Sequence, residues 1–460
     1  ASLNPAGRGY VNPKLCFVCH AAIYKNNMRT GMGRLFGRPG PENTVEDYAV
    51  KNSFYHEASR TYFQMLRRDG KYYQRWYQLD LDGKQTNASE LSVDYVLGSA
   101  IHARAYIHRE AGGRLFQLPV AWYAAKGGYW WMAPGYDSAS HPYGRRPITY
   151  DCLFCHNSWP TVPANHQKIG DEPVYAGDLP DGIDCQRCHG PGKEHIQRAA
   201  AAGARVEDIR AAIVNPKRLP RDREGEVCMQ CHSRTTGLRL PHAIKRYHRG
   251  DFAYQPGQPL GDFEIQFTFA PGAGQNNWYQ NVSTVVRMRK SQCFIRSGGA
   301  LKCATCHDPH SPDHAGDMAH YNAVCRQCHA SAFDKLVAAG KHTGAAGCVD
   351  CHMPARRPMD GDKGALHWRR TIKTDIDVFV ADVILQGSNG PGLVSSLKRV
   401  QPAARVLFIS GFELSELSRR GILSSPDLIG GSVEFLQKPF APEVFMCAVE
   451  RLIASGGKKT

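Results

Sequence analysis

The chain has 460 residues, 42% of them hydrophobic, and a formal charge of +15. That length suits two or three domains, and no apolar run approaches the roughly 20 residues that a membrane-crossing helix needs. The Lys and Arg are scattered, as in Arg67-Arg68, Arg145-Arg146 and Arg356-Arg357, and form no continuous stripe, which argues against a nucleic-acid partner.

In chain order, residues 1–40 are rich in Gly and Pro and read as loop around a first Cys-x-x-Cys-His. Residues 41–150 lack that pattern and are strongly aromatic. Here 72–79 reads as a strand, Asp82-Gly83 as a hairpin turn, and 115–123 with 129–132 as a second hairpin across Gly127-Gly128. The runs 48–66 and 93–108 read as helices, the first carrying His56 and the second His102 and His108. The whole stretch is expected to be a small β-rich insert. Three further motifs fall between 151 and 236, with an Ala-rich helix predicted over 199–214. Residues 237–300 read as extended, with a strand at 263–269. The last three motifs crowd into 301–352, which leaves room for short helices and loops. Near 371 the composition changes, and apolar runs at 378–380, 406–409 and 433–436 alternate with helical stretches. Two domains are therefore expected, 1–370 and 371–460.

The repeated motif carries the chemistry. Seven copies of C-x-x-C-H are present: Cys16, Cys19 and His20; Cys152, Cys155 and His156; Cys185, Cys188 and His189; Cys228, Cys231 and His232; Cys303, Cys306 and His307; Cys325, Cys328 and His329; Cys348, Cys351 and His352. Chance would supply about 0.02 of them, so the pattern is not accidental. Two thiols three residues apart reach the two vinyl groups of one haem, and the His that follows ligates its iron. A zinc knuckle would need four ligands per site and would not require His after every second Cys. Only Cys293 and Cys447 stand outside the motifs. Seven haems bring roughly fourteen propionate charges, which would cancel nearly all of the positive excess. Because haem is attached to such motifs outside the cytoplasmic membrane, a secretory leader is expected to have been removed ahead of Ala1, with the mature protein periplasmic or extracellular.

Iron has two axial positions, and what fills the second decides the function. Thirteen His lie outside the motifs, enough to give each iron a second imidazole. His310 follows His307 in Cys-His-Asp-Pro-His, where Pro stiffens a turn that aims it at a neighbouring haem. His195 follows Cys188-His189-Gly190-Pro191-Gly192 in a similar way. His320 and His342 each precede a motif by five or six residues, and His367 closes the segment. His56 and His102 are the candidates from the insert, with His108 and His166 in reserve.

On these phrases, and on Cys-His-Met-Pro at 351–354, residues 10–370 resemble the multihaem cytochrome c superfamily that includes octahaem and tetrahaem cytochromes and the pentahaem nitrite reductases. The resemblance implies a haem-packed core with short α-helices, much irregular structure and a small β insert, in which mostly bis-His irons pass electrons between closely packed haems. The Lys that marks the catalytic haem of the nitrite reductases has no counterpart, since all seven motifs keep His. Residues 375–456 resemble the latter two-thirds of a response-regulator receiver domain, which implies an incomplete flavodoxin-like α/β fold. Asp382 matches the phosphoacceptor, Ser410 the switch hydroxyl and Lys438 the phosphate-binding lysine. The first strand and its acidic pair have no counterpart, so the strand carrying Asp382 should stand at a sheet edge, and phosphorylation of Asp382 is not expected.

The function expected is electron transfer along seven haems, between a redox donor and an acceptor protein or an extracellular acceptor. A filament of copies of this chain would arise if one iron took its second His from a neighbour. The rival reading is an oxidoreductase that keeps one haem open for a small nitrogen or sulfur compound.

Overall fold

The computed structural model describes residues 8–168, 170–233, 243–247, 249–266, 284–312, 317–342, 347–353, 378–385, 388–389, 391, 394, 405–423 and 432–454. The chain divides into two compact units, Ala1–Gly316 with Ala355–Arg369, and Asp317–Pro354 with Arg370–Thr460. The sixth and seventh motifs therefore group with the C-terminal α/β segment, whereas a boundary at 370 was expected.

In the first unit the aromatic stretch forms eleven strands between Phe36 and Pro147. Ser53–His56, Thr61–Arg68, Lys71–Leu79 and Gln85–Ser92 make an antiparallel meander in that order. A second sheet runs Phe36–Gly37, Tyr95–Leu97, Ala103–Arg109, Leu115–Gln117, Arg146–Pro147, and the hairpin Val120–Tyr123/Tyr129–Met132 joins it along Ala103–Arg109. Side chains alternate across a strand, so Thr61, Phe63 and Met65, and opposite them Tyr72, Gln74 and Trp76, point inward. Phe63, Met65, Tyr72 and Trp76 from the meander meet Tyr106, Val120, Trp122 and Trp130 from the other sheet in one buried cluster.

Three expectations are corrected here. The runs 48–66 and 93–108 are strands, not helices, because their aromatic and β-branched residues pair across ladders. Asp69 and Gly70, both at positive φ, turn the chain between two of those strands. Residues 1–40 are not all loop: Lys14–Asn27 is a helix, because the Gly and Pro lie on either side of it. The Ala-rich run breaks at Gly203 into Lys193–Ala199 and Val206–Ala211. The insert spans much the expected stretch and has its own buried core. The strand foreseen at 263–269 is present as Glu264–Gln266, and 267–269 lies outside the described residues.

Every motif lies on or ends a helix: Lys14–Asn27, Tyr150–His156, Gln186–His189, Arg221–His232, Cys303–Cys306, Met318–Ala338 and Cys348–His352. Residues three and four apart share a helix face, as in Tyr150–His156 and Arg221–His232, whereas His20 and His307 leave the helical backbone at the ends of their motifs. Lys14–Asn27 and the 21-residue Met318–Ala338 bury none of their side chains. Leu15, Phe17, Val18 and Ile23 stand exposed on the first.

In the second unit, Val378–Asp382, Arg405–Ser410 and Val433–Gln437 form a parallel sheet in that order. The amphipathic helix Pro442–Ala454 packs on it through Ala448 and Leu452, against Leu407. Among the described residues, Val378–Asp382 is an edge strand of this sheet, paired to Arg405–Ser410. Among the described residues no helix is long and apolar enough to cross a membrane.

Candidate functional site

Three imidazole pairs stand out, two in the first unit and one in the second. His20 of the first motif lies 6.4 Å from His195 between ring centres, with planes 18° apart. His189 of the third motif lies 6.0 Å from His310, with planes 19° apart. His352 of the seventh motif lies 6.2 Å from His342, with planes 11° apart. An ordinary aromatic contact also falls at about 4.5–7 Å, so distance alone does not decide. What decides is that each pair joins one motif His to one outside His, near-parallel, with separations spanning only 0.4 Å (6.4 − 6.0). One iron between two imidazoles would require about 2.0 Å from metal to each nitrogen and about 1.1 Å more to each ring centre, or about 6.2 Å in all. The residues present fit that group.

The hydrogen bonds set the tautomers. His189 Nδ1 donates to the Val214 carbonyl at 2.7 Å, and His195 Nδ1 donates to the Ile209 carbonyl at 2.8 Å. Each ring is thereby left with an Nε2 lone pair for a metal, the usual arrangement around a ligating His. Burial holds the His189 ring below the ordinary imidazole range, and the nearby His310, His20 and His195 lower it further. The same interactions place the first and third motifs side by side.

The thiols confirm that neighbourhood. Cys16 shares a hydrogen bond with Cys185, which favours the Cys16 thiolate and holds Cys185 protonated. Cys303 and Cys228 are paired likewise, favouring the Cys303 thiolate. Burial pushes the Cys188 thiol up to about 11, with Cys231 close enough to add to the effect. Cys152 and Cys155 pack with Cys231 against one buried cluster. The first five motifs therefore adjoin: first to third, third to fourth, fourth to fifth, with the second beside the fourth.

Near the second motif, the Tyr10 and Trp159 rings meet at 4.0 Å between centres, tilted by 36°, and Arg187 lies over the Trp159 ring at 5.5 Å. Tyr10 Oη, Trp159 Nε1 and Arg187 Nε are buried there with no protein partner among the described residues. Such a set of donors suits a carboxylate like a haem propionate.

The other expected ligands are placed differently. His56 is buried in the insert, with Nδ1 2.7 Å from Ser59 Oγ and Nε2 3.0 Å from Asp137 Oδ1. Both nitrogens meet protein partners there, which suits a structural role for His56 in the insert rather than the expected ligand role. His102 is exposed at the start of Ala103–Arg109, and its carbonyl accepts from Ala124 N. His108 contacts Asp94 and Ser92, and His166 Nδ1 donates to the Glu172 carbonyl. His320 lies in the first turn of Met318–Ala338, its ring centre 5.2 Å from that of Tyr321 in an edge-to-face contact. His367 lies outside the described residues. The carbonyls of Ile209 and Val214, which fix two tautomers, left no trace in the sequence, because main-chain acceptors have no residue signature. Among the described residues no three His, Cys, Asp or Glu side chains form a metal-holding cluster; the imidazoles meet in pairs.

In the second unit, Lys438 Nζ lies 2.7 Å from Asp382 Oδ2, so the strand ends bring the two residues together. Ser410 Oγ accepts from Phe412 N at 3.1 Å. Comparison with protein-family models, with curated proteins and with solved structures returns no match.

Proposed function

We propose that the chain is an electron-transfer protein with c-type haem at all seven motifs and two imidazoles on most irons. When bound, each haem supplies an iron that takes up and gives up one electron. The protein's own residues do the rest. The paired Cys of each motif hold the group covalently, the motif His and a second His hold the metal from both sides, and buried Arg, Trp and Tyr donors meet the propionates. The observation that carries the reading is the trio of near-parallel pairs His20–His195, His189–His310 and His342–His352, each spaced for one metal. A second imidazole closes the site to small molecules, which favours transfer over catalysis. The adjoining motifs give short hops from one centre to the next. The site of action is outside the cytoplasm, between a donor and an acceptor protein or an extracellular acceptor.

Pyridine haemochrome analysis of purified protein, with electron paramagnetic resonance of the oxidised form, tests this. Seven haems per chain with low-spin signals support it. Colourless protein, or zinc at the thiols, overturns it. Carbon monoxide binding to the reduced form would instead favour the oxidoreductase reading.

A further inference from the structure

We infer that Arg187 is a positioning residue: it ties the second, third and fourth motifs together, and its buried charge raises the reduction potential of the centres attached there. The inference rests on the electron-transfer reading and adds to it the element that tunes it. Arg187 stands inside the third motif, immediately before Cys188. Its Nη2 donates to the Phe154 carbonyl at 2.7 Å, immediately before Cys155 of the second motif. Its own carbonyl accepts from Gln230 Nε2 at 3.1 Å, immediately before Cys231 of the fourth. Three attachment thiols are thus each one residue from a single hydrogen-bonded chain. Phe154, Arg187 and Gln230 are all at least 96% buried.

The guanidinium lies over Phe154 at 4.3 Å and over Phe252 at 5.3 Å. This aromatic surround lowers the local dielectric, and a guanidinium remains charged in proteins. A second cation is near, since Arg8 lies over the Trp159 ring at 5.1 Å and interacts with Arg187. Asp184 faces Arg187 as an opposing carboxyl and accepts a hydrogen bond from the Arg187 main-chain N–H. Compared with a neutral side chain at the same place, the Arg187 guanidinium adds one unit of positive charge whatever carboxylates adjoin it, so an electron arriving at an adjacent centre is stabilised, the reduced state is favoured and the potential rises.

The purely structural alternative is that Arg187 only packs among aromatic rings. Redox titration of the full chain, with haem content measured on each preparation, separates the two. R187Q keeps an amide donor for the Phe154 carbonyl but removes the charge. It should shift the midpoints of the neighbouring centres to more negative values, up to three of them, and leave the others in place. R187K should retain most of the wild-type midpoints. D184N removes the opposing carboxyl and should shift the same centres to more positive values. Unmoved midpoints in R187Q at full haem content, or equal shifts in R187K and R187Q, would reduce Arg187 to packing. If R187Q does not accumulate, D184N decides alone, and a missing positive shift overturns the inference. Wild-type protein without haem would sink the underlying reading, which is a separate result.

Discussion

His310 faces His189 across 6.0 Å although 121 residues of chain separate them (310 − 189). His310 follows the fifth motif but stands opposite the His of the third, so a residue next to one motif faces the imidazole of another. His195, which follows the third motif, faces the His of the first in the same manner.

Replacing His310 with Ala should open one metal position without loosening the haem, whose thioether bonds stay intact. Haem content should remain seven per chain, one centre should turn high-spin, and the reduced protein should bind about one equivalent of carbon monoxide. Retention of seven low-spin centres would show that the metal at His189 takes its second ligand elsewhere.

His56→Ala should leave every haem signal unchanged, because both ring nitrogens serve Ser59 and Asp137. The loss of two buried hydrogen bonds should destabilise the insert by about 2–4 kcal/mol. Denaturant melts followed by circular dichroism check the second point. A change in spin state would return His56 to the ligand set.

Acid should weaken the insert through His141. This ring is 4% exposed, and burial, with His56 beside it, pushes its pKa down to about 4. The unfolded chain binds the proton near the ordinary imidazole value of about 6.5, so the unfolded state gains protons first as pH falls. The stabilisation is therefore complete above about 6.5 and is lost progressively towards about 4, by at most about 3 kcal/mol. His141→Phe should flatten the dependence of melting midpoint on pH across that window; an equally steep dependence in the variant assigns the acid sensitivity to other groups.

Asp382 should not accept a phosphoryl group. Lys438 lies 2.7 Å from it, as the resemblance implies, but the Mg²⁺-binding acidic pair that receivers use has no counterpart in the sequence. Incubation of the full chain with acetyl phosphate and Mg²⁺ should give no phosphoryl adduct by intact mass. Stoichiometric labelling lost in Asp382→Asn would reinstate a receiver function.

The motifs were legible because they are local: two thiols and an imidazole within five residues need no tertiary contact. His195 and His310 were legible as candidates for a related reason, since each follows a motif through a Pro-stiffened turn, and each stands beside a motif His. Their partners were not, because pairing across 121 or 175 residues is decided by packing (310 − 189 and 195 − 20). His56 misled because its run looked helical. Asp69-Gly70, a hairpin signal as plain as Asp82-Gly83, would have turned that run into strands. The parallel sheet of the second unit was read from three apolar runs, each of which became a strand. Arg187 went unremarked, yet a charge between the two Cys of a motif could have drawn attention to it.

The contrast between the insert and the motif-bearing helices bears on biogenesis. The sheets close on Phe63, Met65, Tyr106 and Trp130 with amino acids alone, whereas Lys14–Asn27 and Met318–Ala338 enclose nothing. On the proposed reading, maturation would proceed in two stages: the sheets collapse as they are synthesised, and the motif-bearing helices wait for their prosthetic groups. Cells starved of haem would then accumulate chains whose sheets resist proteases while those helices are cut.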